Sequence, residues 1–584
     1  MVIGSRHERY WLGDVEIRVD ENQVLVAGAL VRLKPRAMDV LRCLLLAAGE
    51  VVSKNELMDR VWPNVDVTPH VLTEAIHEIR RALGDQSRAP RYIQTVPRKG
   101  YRTLAQVRTG ADRLAARLVV LPLECLSDHP DDAVFCHGLL EELINALGRV
   151  RNIEVLGRAS SYALSQKDEA LRGGSNTSLA AFSSRATHVV SGSLRRTDKT
   201  IRVNARLSEA VSDVVLWSEI YDRPPGDVLS TQEDIARRVA RTLAQRLGLG
   251  KDYRRARSTR NLDAYREFVK GRQSWLGYNH EPQAAMQHYQ RSLEFDPEFA
   301  LPHAGMAECC NTLAVFHLAP QPAMRDLCID HAERAVSLDP DSADCQFAFG
   351  YVQFYIRWNF QLAEIAFRRA LEINPSHVPT LGFYAMLLCP LQRREESDEL
   401  AATMTRLDPY LPLAWALRAI SSCYNRNPRA ALDAAETGLA LNPDDLLCHW
   451  MRADGATRLD LRPDCLNWIV ELDRRATGQP LFKACAANLY ALLGESEPAR
   501  QIGRDLESTA ANDHFISSLV HVALGRPEAA LESLEAAEHD RDAALWSIAC
   551  APYFDALRIH PRFHRLRDAL GLPPLAVDDS LITR

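Results

Sequence analysis

The chain has 584 residues, a formal net charge of -6, 47% hydrophobic and 25% charged residues. That excludes a fibrous or disordered chain and asks for several domains, each with its own core. No apolar run approaches the roughly 18 residues that cross a bilayer, and the opening MVIGSRHERYWLGD lacks a signal-peptide core, so no membrane partner and a cytoplasmic location are expected.

Charge is unevenly placed. Residues 1–105 hold 16 Lys+Arg against 13 Asp+Glu, so the basic excess sits in an otherwise acidic chain and hints at a polyanionic partner. The stretch RYWLGDVEIRVDENQVLVAGALVRL alternates apolar and polar residues, which predicts short antiparallel strands. Pro35 opens a helix that Gly49 is expected to end. Ser53 and Glu56 form a capping box for the helix to Val61. In VTPHVLTEAIHEIRRALGD, Leu72, Ile76, Ile79 and Leu83 share one helical face, and His70, Thr73, Glu74, His77 and Arg81 share another. Gly84 stops this helix. RYIQTVPRKGYR then reads as a hairpin, with Gly100 at a strained turn or a close approach.

Helix, turn, helix and basic hairpin predict an α+β winged helix-turn-helix over residues 1–106. A helix fits the major groove of DNA, where His70, Thr73, Glu74, His77 and Arg81 would meet base edges, while Arg98, Lys99 and Arg102 of the wing would meet phosphates or the minor groove. His70 and His77 also fit a purely solvent-facing role, Glu74 a register-setting charge, and Arg80, Trp62 and Tyr101 structural ones. The residues LVRLKPRAMDVLRCLLLAAGEVVSKNELMDRVW, LTEAIHEIRRALGD and YIQTVPRKGYR resemble the OmpR/PhoB-type DNA-binding domain. That resemblance implies double-stranded promoter DNA as partner, bound head to tail on direct repeats, with homo-oligomers on the DNA. About ten residues precede the domain, so a phosphorylatable receiver ahead of it is not expected.

A polar linker is expected at Arg108–Asp112. Residues 114–250 then predict an α/β domain: a buried strand with Leu118–Leu123, an amphipathic helix, a second strand in NIEVLGRASS, a meander turning near Thr197 and Val211, and a closing helix. They resemble the TolB amino-terminal-like domain through VVLPLECLSD, GLLEELINAL and GSLRRTDKTIRVNARLSEAVSDVVLWSEIYDR. Asp131 and Asp132 could form a metal pair but read better as a solvated loop. There is no nucleophile elbow and no P-loop, and the His and Cys residues lack metal spacing, so no catalytic residue, cofactor or metal is expected. Ligand or partner binding and a spacer role stay open for this domain. The thirteen cysteines are scattered without a C-x-x-C pair, which predicts reduced thiols.

From residue 262 to 574 the motifs RSLEFDP, RAVSLDP, RALEINP, TRLDP and TGLALNP end in Pro297, Pro340, Pro375, Pro409 and Pro443, at steps of 43, 35, 34 and 34 residues. A 34-residue step is the tetratricopeptide period, and AVFHLAPQPAMRDL supplies the longer first step. Phe347, Phe354, Ala363, Phe367 and Ala370 hold the large and small packing positions of the best repeat. The period fades beyond Pro443, where degenerate helix pairs are expected to bring the total to seven or eight. This all-α solenoid implies a protein partner. The three-part multidomain order resembles HilA-type regulators, which implies a bacterial, sequence-specific transcription factor acting on virulence or environmental-response genes. The alternatives are a scaffold whose winged helix binds protein and, through a similarity of such middle and repeat regions to nucleotide cyclases, an enzyme.

Overall fold

The computed structural model of the chain describes residues 9–573, apart from 13–14, 20, 27–28, 48, 63–67, 69, 87–89, 98, 105–106, 110–115, 130–131, 151, 173–185, 225–227, 247–258, 277–280, 320, 462–463 and 510–512. It divides into two compact units, Met1–Ala115 and Ala116–Arg584.

The first unit runs β1 (Arg9–Leu12), β2 (Val15–Arg18), β3 (Gln23–Val26), β4 (Ala29–Arg32), α1 (Pro35–Leu46), β5 (Val52–Ser53), α2 (Lys54–Val61), α3 (His70–Leu83), β6 (Ile93–Val96), β7 (Gly100–Thr103) and β8 (Val107–Thr109). The first sheet has the order β4-β3-β2-β1-β8 and the second β5-β7-β6. Alternation is borne out: Leu12, Val15, Ile17 and Val24 point into a core with Leu41, Leu44, Leu57, Leu72, Ile76 and Ile79. Two expectations change. α1 caps at Ala47, and Gly49, with φ +96, only turns the chain afterwards. Arg108 and Thr109 are not linker: β8 pairs Leu12↔Val107, Trp11↔Arg108 and Tyr10↔Thr109. A strand of three residues carries too little periodicity to be seen without its partner.

In the second unit β9 (Ala116–Val120), β10 (Glu124–Cys125), β11 (Ile153–Val155), β12 (His188–Arg196), β13 (Ile201–Glu209) and β14 (Val215–Arg223) form one sheet, ordered β11-β9-β12-β13-β14 with β10 also on β12. β11, β9 and β12 run parallel and β12, β13 and β14 form an antiparallel meander. Parallel strands covered on both faces read as unbroken apolar runs. Leu118 and Val120 pack with α4 (Asp132–Gly148) and the helix Val228–Arg246, whereas Val119 and Leu121 pack on the opposite face. Asp131 lies outside the described residues. Asp132 is not loop-solvated: it is buried, bonded to Arg196 Nε at 2.6 Å and to Ser127 Oγ at 2.6 Å.

The second strand is shorter than NIEVLGRASS suggests. It ends at Val155, and α5 (Arg158–Arg172) starts within the same motif. No local residue signals that start, because its cap comes from Asp408. That carboxylate accepts from Ser160 N at 2.8 Å, Ser160 Oγ at 2.5 Å and Ala159 N at 3.3 Å. Gly157 N donates to Leu407 O at 2.8 Å and Val155 N to Ser376 Oγ at 3.2 Å. A side chain at Gly157 would strike Asp408, with an added Cβ 2.1 Å from Oδ2. The α/β layer is thus fastened to the turns that carry Pro375 and Pro409.

From Leu262 the chain is a row of antiparallel helix pairs that ends with Pro561–Ala569, so the expected solenoid is present. Phe347, Phe354, Ala363, Phe367 and Ala370 are all buried. The longer first step is absorbed largely by longer helices, Ala300–Val315 and Gln321–Leu338. The period that fades in the side chains after Pro443 persists in the backbone as far as Gly494, and the next left-handed turn, at Gly525, follows after 31 residues. Trp358, Gln392, Arg426, Asp460 and Gly494, at steps of 34 residues, all take a positive φ at the turn inside their repeat. The next residue then closes a Schellman bond, as in Arg393 N→Leu388 O at 3.1 Å, Asn427 N→Ser422 O at 2.9 Å and Glu495 N→Tyr490 O at 2.9 Å. The thirteen cysteines are unpaired. Among the described residues no helix is long and apolar enough to cross a membrane.

Candidate nucleic-acid interface

The interface begins with the division of α3 into two faces. Leu72, Ala75, Ile76, Ile79, Ala82 and Leu83 are buried, and His70, Thr73, Glu74, His77 and Arg81 are all exposed. The five polar residues expected to share a face do so, because a 3.6-residue turn sends positions 70, 73, 74, 77 and 81 away from the core. His70 Nε2 lies 3.3 Å from Glu74 Oε1, with both side chains more than two thirds exposed. Such an exposed i,i+4 pair contributes only a few tenths of a kcal/mol, so either partner is cheap to redirect.

Three contacts hold α3 in place. Glu78 reaches the N-terminus of α1, where Oε1 accepts from Lys34 N at 2.7 Å. A carboxylate there is favoured by the helix dipole. Arg80 donates to Ile93 O and to Thr95 Oγ1, both at 2.9 Å, and ties α3 to the first wing strand, in the structural role expected of it. Asp85, just past Gly84 with its φ of +66, accepts from the backbone of Arg91 at 2.7 Å, Ile93 at 2.8 Å and Tyr92 at 3.3 Å. It sets the path from α3 into the wing. The only sequence hint was an Asp following a C-cap glycine.

The wing pairs Ile93↔Thr103, Gln94↔Arg102, Thr95↔Tyr101 and Val96↔Gly100. Gly100 is a close approach rather than a strained turn: a Cβ there would lie 1.9 Å from Val52 O of β5. Lys99 is exposed at the tip, its N–H bonded to Val96 O at 3.1 Å. Arg102 is half-buried and donates from Nε to Gln94 Oε1 at 2.7 Å, so it is more anchored than expected. Arg98 lies outside the described residues. Trp62 and Tyr101 are core residues. Chemically, the unit presents a protruding helix face of donors and acceptors and a separate hairpin tip with a cation.

Away from this unit, His317, Asp513 and Asp542 bring three ligand-type atoms within 4.8 Å of one another. His317 Nδ1 is 2.6 Å from Asp513 Oδ2, the geometry of an ion pair.

Residues 28–103 match the family described as transcriptional regulatory protein, C terminal. The N-terminal unit therefore carries an OmpR/PhoB-type winged-helix domain. The chain is 31% identical over 192 residues to putative adenylate cyclase 3 of Rhizobium meliloti, covering 32% of each chain. It is 41% identical over 87 residues to the transcriptional activator CadC of Escherichia coli, covering 15% of this chain and 17% of that one. With the transcriptional regulator HilA of Salmonella typhimurium it shares 22% identity over 420 residues, covering 69% of this chain and 71% of that one. The chain thus spans a third or less of the length of the first two and more than two thirds of HilA.

Proposed function

We infer that this protein is a bacterial, sequence-specific DNA-binding regulator of transcription. The exposed polar face of α3, above a fully buried apolar face on a winged-helix domain, is the observation that carries this reading. His77, Arg81 and Thr73 meet base edges in the major groove, with His70 and Glu74 at the start of the same face. Lys99, together with Arg98 and Arg102, holds the phosphate backbone or minor groove. Three domains serve this role: the winged helix, carried to Thr109 by β8, the α/β domain of residues 114–250 and the repeats of residues 262–574, which offer a surface to a protein partner. Copies bind side by side on direct repeats, about one helical turn apart, in the cytoplasm. The similarity to relatives named as regulators and activators supports regulation rather than enzymatic turnover. Formation of cyclic AMP from ATP by the purified chain would overturn that part.

Genome-wide mapping of bound DNA, followed by binding measurements on the recovered sites across a salt series, tests the reading. His77→Ala or Arg81→Ala should cost on the order of 1–3 kcal/mol at one or two base positions and relax preference there. Lys99→Ala should weaken operator and scrambled duplex alike and reduce the salt slope by about one. The reverse pattern would mean that the two elements exchange roles. Absence of binding to any genomic fragment would favour a winged helix that contacts protein.

A further inference from the structure

The inner side of the helical array is covered by the chain's own C-terminal segment. After the helix Pro527–His539 two 3-10 turns follow, Leu545–Ala549 and Pro552–Leu557. Trp546 sits among Phe354, Tyr355 and Tyr424, with ring centroids 4.8, 5.5 and 5.9 Å away. Tyr553 stacks on Trp450 at 6.2 Å, accepts from its indole N–H and donates to Asp454 at 3.1 Å. Arg426 grips Asp555 with its two terminal guanidinium nitrogens, Nη1 and Nη2, at 2.9 and 2.7 Å. These bonds fix the segment where an extended partner peptide would otherwise lie.

Between this segment and the inner helices is a chamber of about 800 Å³. Its walls include Tyr351, Phe383, Leu417, Leu481, Phe482 and Trp546. Small-molecule sites have volumes of roughly 300–1,000 Å³ and combine apolar and aromatic walls with a few placed polar groups. One group of polar side chains bonds to one another: Trp275 Nε1 donates to Glu308 at 2.9 Å, and the hydroxyls of Thr312 and Tyr351 are 3.3 Å apart; Asn442, Asp444, Asp445, Gln479 and Ser547 line the chamber elsewhere. Burial, against the pull of Arg272, lifts the Glu308 carboxyl to about 7, so near neutral pH it can offer a proton as well as accept one. Among the described lining residues Arg272 is the one base, and it faces Asp344 at 3.6 Å, whereas Glu308, Asp444 and Asp445 are acids. That balance disfavours an anion.

We propose that this chamber binds a neutral small molecule, aromatic or alicyclic over most of its surface, with a hydrogen-bonding end directed at the Glu308, Trp275 and Thr312 wall. A peptide is disfavoured because the chain's own segment takes the space along the inner helices. Binding is independent of the DNA reading and would give the regulator a place to receive a chemical signal.

The test uses the full chain and N-phenyl-1-naphthylamine, a neutral aromatic fluorophore. Saturable binding at one site per chain with blue-shifted emission is expected. Leu417→Trp and Leu481→Trp, each filling the chamber from a different helix, should weaken binding at least tenfold while circular dichroism and melting stay those of the parent. Leu417→Phe is the smaller fill to use should the larger ones fail to fold. Absence of saturable binding, or unchanged affinity in every filled variant that folds, overturns the proposal.

Discussion

In the winged-helix unit α2 is capped by Ser53, whose Oγ accepts from Glu56 N at 3.1 Å three residues away. In the second unit α5 is capped by Asp408, 248 residues further along the chain. The start of α2 is therefore settled by its own neighbours, and even the longer reach of Glu78 to the start of α1 stays within the first unit. The α/β layer instead completes its hydrogen bonding only when the repeats have folded and brought Asp408 to it. The same contrast separates the two candidate interaction surfaces. α3 turns its polar face to solvent, whereas the inner face of the repeats is covered by Trp546, Tyr553 and their neighbours from the end of the chain.

The strongest test of this contrast is Trp546→Ala. Deleting a buried indole that touches three aromatic rings should cost about 3–5 kcal/mol, read by urea unfolding of the full chain. DNA affinity of the winged helix should be unaltered. A cost under about 1 kcal/mol would mean that the inner segment adds little to the array.

Asp408→Ala should cost about 2–3 kcal/mol, because two backbone donors and a hydroxyl lose a charged acceptor inside the protein. Hydrogen exchange should quicken at residues 158–164 together with the repeat turns at Pro375 and Pro409. Protection unchanged at α5 would show that layer and repeats are energetically separate.

Ser53→Ala should cost about 1 kcal/mol, confined to the first unit, and Ser53→Asp should restore most of it. Thermal melting followed through Trp62 and through far-ultraviolet dichroism separates this from any change in the second unit.

The smallest effect is a pH dependence at His317, which joins the first long repeat to Asp513 and Asp542 near the chain's end. Burial opposes its charge, but Asp542 and Asp513 outweigh burial and raise its pKa above the usual histidine value. A group raised in the fold stabilises fully below its unfolded pKa of about 6.5 and loses that contribution as the pH climbs through the folded value. The repeats should therefore soften as the pH rises past neutrality. His317→Gln should flatten the dependence, and an unchanged profile would show that His317 does not set it.

Where residues act on near neighbours, the chain could be read directly. The faces of α3, the capping box at Ser53 and the 34-residue step all follow from side-chain type and spacing, since helix and strand periods are fixed by backbone geometry; for Gly100 they leave a strained turn or a close approach, and the nearness of Val52 decides for the second. The roles of His70, Glu74 and Arg102 were less legible, because a pairing such as Arg102 with Gln94 depends on the register of a hairpin. β8, the start of α5 and the left-handed turns at Trp358, Gln392, Arg426 and Asp460 were not legible at all. A strand of three residues, a cap from a distant carboxylate and a positive φ on a residue other than glycine leave no local pattern. The chamber belongs with these. It exists because residues near 310, 350, 417, 482 and 546 converge, and apolar side chains that are separately ordinary core residues become the walls of a site only when the array curves them toward one another. Local sequence thus determined which elements form and which faces are apolar. Tertiary structure decided which distant residues finish those elements and which apolar faces meet, because burial rewards any partner of the right shape without specifying which one arrives.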